Sequence, residues 1–382
     1  MDSKQPPKVL IIGGGFGGVY TARYLEPLAR AGIIELVLIN KTNYFLFTPL
    51  LHEVATGGLT PSSVVEPIRE IFRDGFVKFL QAEVKAIDSK NKLLKTSAGK
   101  INYDYLVISP GAETNFYNTP GAEKYSLGLK NLSDALKIRN KIINAFETAS
   151  FAQDESEKQK LLSAVIIGGG PTGVELAGEL AEFMGVTLYD YYRCSGIKKE
   201  EIRVTLVCTS ADILPQFPAP MRSVALEVLR SRGVDVRLAT KATELSAGQV
   251  KLDNADALEA ETILWVAGVS PKPWEIAGTE REPSGRLKVD ENLRLFGVNN
   301  IFSLGDVSGT FPMLAQVAVQ QAKTVAHNIE ALINGQELKT FHYFQRGLLV
   351  SLGQWSAVGH FFGATFSGRL MWWIWRTVYL FN

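Results

Sequence analysis

The run Leu10-Ile11-Ile12-Gly13-Gly14-Gly15-Phe16-Gly17-Gly18 sets an apolar stretch against a cluster of glycines. Helical spacing of Tyr20, Ala22, Leu25 and Leu28 follows at once. The pattern predicts a buried strand, a tight turn and a helix N-terminus. Gly13, Gly15 and Gly18 have the G-x-G-x-x-G spacing. The first glycine makes the turn, the second admits a pyrophosphate against the backbone, and the third lets helix and strand pack closely. The helix start adds free N–H groups and the positive end of a dipole. The pattern returns at Val165-Ile166-Ile167-Gly168-Gly169-Gly170-Pro171-Thr172-Gly173, with Gly168, Gly170, Gly173, Ala177 and Leu180 matching Gly13, Gly15, Gly18, Ala22 and Leu25 at a constant offset. Two phosphate cradles predict two dinucleotides, a resident flavin and a visiting nicotinamide. A duplicated fold with one inactive cradle is the alternative.

The composition bounds the rest. A chain of 382 residues exceeds one ordinary core, so two to three domains are expected. A hydrophobic content of 46% supports buried α/β layers. A net charge of +1 gives no broad attraction to nucleic acid. The two cysteines, Cys194 and Cys208, form no C-x-x-C and allow at most one disulfide, which suits a reducing compartment. Met1 to Lys8 reads as neither a signal nor a transit sequence. No stretch reaches the ~18 apolar residues of a spanning helix.

In chain order, Leu36 to Ile39 is a second buried strand, and Asn40 stands where an acid normally binds ribose hydroxyls. Asn43 to Gly58 is aromatic, apolar and glycine-rich, suited either to lining a flat ring system or to a packed loop and helix start. His52 within it reads as a hydrogen-bonded structural histidine. Val77 to Leu80 and Glu83 to Asp88, including Val84, read as strands, and Tyr105 to Ile108 as a buried strand closing on Gly111. A domain crossover is expected over Ala112 to Glu123, a helix over Leu132 to Phe151, and a solvated charged loop over Gln153 to Lys158. After the second cradle, Val204 to Val207 ends at Cys208, again where an acid would stand, so the sequence does not choose between NADH and NADPH. Thr262 to Val269 is a buried strand ending in the small-residue turn Ala267-Gly268. Asp306 closes the strand from Asn300, where its carboxylate can accept from ribityl hydroxyls or cap the next helix. Gln316 and Gln320 lie four apart, on one face of that helix. The segment from Gly347 to Ser367 is strand-like. It leads into Leu370-Met371-Trp372-Trp373-Ile374-Trp375-Arg376-Thr377-Val378-Tyr379-Leu380-Phe381, suited to a membrane interface, a dimer contact or a helix docked on the sheet.

These residues carry a family. The chain resembles the type II NADH:quinone oxidoreductases, single-subunit flavoproteins of the two-dinucleotide-binding-domain superfamily. The likeness rests on both glycine fingerprints, on Asn43 to Leu51, on Leu304-Gly305-Asp306, and on Ala315-Gln316-Val317-Ala318-Val319-Gln320, which matches the A-Q-x-A-x-Q quinone signature. It implies an α/β fold of two Rossmann-like, glutathione-reductase-like domains with a short C-terminal membrane-associating segment. The implied boundaries are 1–112 with 287–335 for FAD, 113–286 for NAD(P)H, and 336–382 for the quinone-site and membrane-anchoring segment. FAD and nicotinamide would be held by Gly13, Gly15, Phe16, Gly17, Gly18, Asn40, Lys41, Thr48, Pro49, Val84, Gly111, Asp306 and Gln316, and by Gly168, Gly170, Thr172, Gly173, Glu175, Cys208, Ala267 and Gly268. The catalytic set would be Glu175, Gln316, Gln320 and Arg346. Attachment would be peripheral, at the cytoplasmic face of the cell membrane, and a homodimer is compatible.

Three departures stand out: Asn40 and Cys208 in place of acids, Arg346 where relatives have lysine, and an end at Asn382 where relatives continue with basic amphipathic helix. The implied reaction is a relay. NADH reduces the flavin, NAD leaves, and two electrons pass to quinone. On the resemblance Glu175 would shuttle a proton, with a helix-dipole partner as the alternative, and Arg346 would stabilise the forming quinol anion. Disulfide reductases and sulfide:quinone reductases need reactive cysteines that this chain does not offer. A ferredoxin- or rubredoxin-type reductase is the enzymatic rival. A flavoprotein that senses NADH, like apoptosis-inducing factors, is the non-enzymatic one.

Overall fold

The computed structural model describes residues 5–271 and 274–380, with side chains of the last helix described through Thr377. Met1 to Lys4 and the terminal Phe381 and Asn382 lie outside the described residues. The chain forms two units. The first is built from the chain through Phe47, from Val65–Glu113 and from Ser270–Phe344; the second takes Thr48–Val64, Thr114–Val269 and Gln345 onward.

In the first unit five parallel strands lie in the order Ile301–Ser303, Tyr105–Ile108, Lys8–Ile12, Glu35–Asn40 and Val77–Gln81. Their near-continuous apolar runs suit a sheet covered on both faces. On one face, Val9 and Ile11 join Val19, Ala22 and Leu25 of the first fingerprint helix (Phe16–Arg30) and Ala322, Val325 and Ile329 of the long helix Ala315–Asn334. On the other, Leu10 and Ile12 join Ile87 and Leu94 of the antiparallel meander Val84–Asp88, Leu93–Thr96, Gly99–Asn102. Gly335, at φ +68°, ends the long helix in the left-handed conformation that glycine accepts without strain.

The second unit repeats the plan with parallel strands in the order Val234–Arg237, Arg203–Val207, Ser163–Ile167 and Thr262–Trp265. Its fingerprint helix is Pro171–Glu182, opened by proline at the first position. An antiparallel sheet of Leu348–Ser351, Ala357–Phe361 and Ala364–Gly368 runs into the C-terminal helix Arg369–Leu380. The short helix Leu51–Ala55 belongs to this unit.

Two local expectations change. The charged stretch Gln153 to Lys158 is not a solvated loop. Asp154 caps the helix Glu155–Leu161 by accepting from the Ser156 and Glu157 N–H groups. Lys158 is buried, donating to Glu201 and to the Gly196 carbonyl. Asp306 does not cap the long helix, whose cap position is Leu314; Asp306 sits in its own 3₁₀ turn, Gly305–Val307.

Candidate functional site

The two cradles have the same internal logic. In the first unit Gly13 holds φ +108°, and a Cβ there would stand 2.0 Å from the Ser109 carbonyl oxygen. A Cβ on Gly18 would stand 1.8 Å from the Gly13 oxygen, so only glycine permits the strand–helix approach. A Cβ on Gly15 would meet nothing within 4 Å, and Gly15 caps the helix without a side-chain hydrogen bond. The middle glycine is therefore not required by protein packing. It leaves the helix-start N–H groups open to a phosphate, and the cradle fits a dinucleotide. In the second unit Gly168 at φ +130° would clash with Ala267, and Gly173 with the Gly168 oxygen at 1.8 Å, while Gly170 again meets nothing.

The other residues expected in the first unit are distributed around that cradle. A Cβ on Gly17 would meet Ser109. The Phe16 ring stands edge-on to Phe45 and Phe47, with centroids 5.1 and 5.4 Å away. Asn40 ends its strand and donates its amide to the Thr42 carbonyl and hydroxyl, rigidifying the turn beside Gly14. Lys41 pairs with Glu83 at the surface, Val84 is buried at a strand start, and Gly111 takes φ +76°. The Gly305 N–H that precedes Asp306 donates to Gln321 Oε1 at 2.8 Å. Gln321 is fully buried and its Nε2 has no protein partner. Gln320 is clamped at both ends, donating from Nε2 to the Phe344 carbonyl (2.8 Å) and accepting at Oε1 from the Phe344 N–H (3.0 Å). Gln316 is half-buried on the same helix face.

In the second unit the Cys208 thiol occupies the space a side chain on Gly169 would need, and burial pushes its pKa up to about 12. It is a packing group, not a redox thiol. Cys194 is exposed, and both cysteines are free. The Gly268 carbonyl accepts from Asn115, and Tyr117 lies against Gly268. Thr172 is exposed at the cradle. Thr48 and Pro49, expected at the flavin, form the 3₁₀ turn Thr48–Leu50 that is grouped with this unit. Arg346 is exposed at the entry to the strand Leu348–Ser351.

Glu175 is the most perturbed of the expected residues. Gly178 lets the Leu352–Gly353 backbone press on the fingerprint helix, since a Cβ there would stand 2.6 Å from Leu352. That approach brings the Ser351 N–H to 3.2 Å from Glu175 Oε1. His52 Nδ1 lies 3.8 Å from Oε2. Burial pushes the Glu175 carboxyl up to about 8, with Glu179 and Glu53 adding repulsion. Burial also holds His52 at about 3, so the ring is neutral, and its Nε2 has no partner. Two neutral groups face each other here, not an ion pair.

Residues to which the sequence reading gave no part in catalysis complete this cluster. Glu53 is buried beneath Arg376, whose Nη1 donates to both carboxylate oxygens at 3.0 and 2.9 Å. Trp375, fully buried, stands 5.9 Å from the His52 ring. Glu182 pairs with Arg232 at 3.1 Å and accepts from the Gln354 N–H at 2.9 Å. Glu179, between Glu175 and Glu182, is also pushed up to about 8, chiefly by burial. Both arginines are thus engaged by Glu53 and Glu182. Among the described residues neither Glu175 nor Glu179 has a cation of its own. The i, i+4, i+7 spacing of the three helix acids stands in the sequence, but the sequence reading took up Glu175 alone, and the partners from distant segments gave no local signal.

The model of the pyridine nucleotide-disulphide oxidoreductase family matches residues 7–322. A type II NADH:quinone oxidoreductase of Staphylococcus haemolyticus is 32% identical, over 95% of this chain and 91% of its own. A type II NADH:quinone oxidoreductase of Mycobacterium tuberculosis is also 32% identical, over 98% and 85%. Among solved structures, NDH2 from Plasmodium falciparum in complex with NADH superposes with a TM-score of 0.90 at 22% identity, covering 98% of this chain and 94% of its own.

Proposed function

The chain belongs to the pyridine nucleotide-disulphide oxidoreductases and, within them, to the type II NADH:quinone oxidoreductases, and from that premise we propose how its residues divide the work. The enzyme oxidises NADH and reduces a quinone to the quinol. FAD, when bound at Gly13 to Gly18, supplies the carrier that takes a hydride from the nicotinamide and returns the electron pair to the quinone. The Gly168 to Gly173 cradle holds NADH, with Ala267-Gly268 giving the nicotinamide a side-chain-free approach. Asp306 holds the ribityl chain, oriented by the Gly305–Gln321 bond. Gln316 and Gln320 receive the quinone, Gln320 through the Phe344 segment it fixes. Arg346 supports negative charge on the quinone oxygens. Glu175 gives the proton: the observation that carries the assignment is its burial on the cradle helix against the Ser351 N–H and the His52 ring, and that burial pushes the carboxyl up to about 8, an acid matched to the working pH.

Stopped-flow mixing tests the division. NADH bleaches the flavin, and a soluble quinone restores the colour. Glu175→Gln slows the second phase by about 10²-fold, the size of one general acid. A colour return at the wild-type rate overturns the role of Glu175. Parallel runs with NADPH settle the donor, since Cys208-Thr209-Ser210 at the strand end offers neither an acid nor an arginine to choose.

The C-terminal helix supports peripheral attachment. Met371, Trp372 and Trp375 face inward, while Leu370 and Trp373 are 74% and 54% exposed. Among the described residues no helix is long and apolar enough to cross a membrane. The outward residues lie at headgroup depth on this reading. Co-sedimentation with anionic vesicles, lost in Leu370→Ser/Trp373→Ser, checks it. A stable dimer without vesicle binding assigns the face to a second copy instead.

A further inference from the structure

We propose that Glu179 is a proton relay that reloads Glu175, drawing from solvent through the Glu182–Arg232 end of the same helix face. The inference rests on the reading of Glu175 as proton donor and extends it to the question of resupply. NADH oxidation with quinol formation consumes one proton from the medium per turnover, the other hydrogen arriving with the hydride. Glu175 retains only 13% of its side-chain exposure, so once it has given its proton a resupply path is needed.

The helix Pro171–Glu182 provides one. Glu175, Glu179 and Glu182 recur at i, i+4 and i+7, which places neighbouring side chains about 5–6 Å apart at Cβ, within reach directly or through one water. Glu182 is the outermost, 21% exposed and held by Arg232 and the Gln354 N–H, where it meets solvent. Glu179 is the middle station. The charged and titratable groups that bear on it are Glu182 and Glu175 on its own helix, Glu53 on the Leu51–Ala55 helix, Arg232 behind the Ala219–Ser231 helix and Arg376 on the C-terminal helix. His52 closes the inner end as a neutral ring beside Glu175, its Nε2 buried without a partner, so it does not draw the proton away as a salt-bridging imidazolium would. Arg376 and Arg232 are engaged by Glu53 and Glu182, which leaves Glu175 and Glu179 adjacent in the line with no salt bridge to either arginine among the described residues.

The step balances simply. Glu175 loses its proton and becomes a carboxylate; the O–H bond of Glu179 breaks as one forms on Glu175. Glu179 then takes a proton that enters from water past Glu182. No electrons move.

Glu179→Gln removes the exchangeable proton while keeping the shape. In the FAD-loaded enzyme with saturating quinone, kcat falls about tenfold or more with the KM for NADH unchanged, an effect below that of a first general acid because water can partly substitute. A small weak acid in the buffer, or Glu179→Asp, restores much of the loss. Infrared spectroscopy near pH 7 gives a readout independent of turnover: the protonated-carboxyl absorption loses one group's band in Glu179→Gln and one in Glu175→Gln. A fall of less than about threefold, or a larger fall that neither weak acid nor Asp reverses, overturns the relay. So does loss of no infrared band on Glu179→Gln. If Glu175→Gln itself leaves turnover unchanged, the failure belongs to the donor assignment; if Glu175→Gln is slow and Glu179→Gln is not, it belongs to the relay alone.

Discussion

Arg376→Gln should destabilise the second unit, and more in mild alkali than in acid. Glu53 is 4% exposed and Arg376 26%, with one guanidinium nitrogen serving both carboxylate oxygens. Burial raises the Glu53 pKa and Arg376 lowers it, burial being the larger effect. The pair therefore does not make burying Glu53 favourable; it limits the penalty. Breaking a fully buried pair costs about 3–5 kcal/mol. Water reaches a quarter of Arg376, so about 2–3 kcal/mol is expected near pH 8. Without its partner the buried carboxyl moves further above 4.5, its value in the unfolded chain. The variant's deficit then grows as pH rises from about 4.5 toward the new folded pKa, at up to about 1.4 kcal/mol per unit, and levels off beyond it. Near pH 5 the variant should lie within about 1 kcal/mol of wild type. Urea unfolding of the FAD-saturated protein, followed by fluorescence of the buried Trp372 and Trp375, measures both conditions. Glu53→Gln/Arg376→Gln should recover most of the loss at about pH 8, because no buried charge is left unpaired. Equal losses at the two pH values, or a double variant as weak as the single one, would refute the argument.

Three further outcomes follow from the same geometry. Gly173→Ala places a methyl 1.8 Å from the Gly168 oxygen and should prevent folding of the second unit, whereas Gly170→Ala meets nothing and should fold within about 1 kcal/mol of wild type, losing NADH affinity instead; thermal melts and NADH titration separate the two. Glu175 and Glu179 hold protons up to about 8 in the folded chain against 4.5 unfolded, so the folded state binds more protons over that window and stability falls as pH rises through it. Glu175→Gln should flatten that fall, visible as a smaller shift of the urea midpoint between about pH 6 and 8. Gln321→Leu frees the Gly305 N–H and should weaken FAD retention on gel filtration while leaving NADH binding to the second unit unchanged.

Both glycine fingerprints were legible because their requirements are local. A positive φ at Gly13 and at Gly168, and a helix pressed against its own strand at Gly18 and Gly173, are settled within a few residues of sequence. Periodicity likewise sufficed for the buried strands and for the long helix bearing Gln316 and Gln320. Asp154 misled because a capping acid followed by acids in the first turn and lysines in the last reads as a charged run, although that arrangement complements the helix dipole.

The acid cluster was only half legible, for a physical reason. Glu175, Glu179 and Glu182 announce a shared face by spacing alone, but a face of acids on an exposed helix is ordinary. Its chemistry changes because Gly178 admits the Leu352–Gly353 backbone, because Leu51–Ala55 joins the second unit and carries His52 and Glu53 with it, and because Arg376 arrives from the last helix. Apart from Gly178, the residues that do this lie far from position 175 in the chain. Each removes water or engages a cation, and together they leave two carboxyls with little solvent and, among the described residues, no salt bridge to a lysine or arginine. A pKa is set by what surrounds a group in space, so the residue carrying the proton can be named from its motif, while the reason it holds that proton is written in segments 120 or more residues away in either direction.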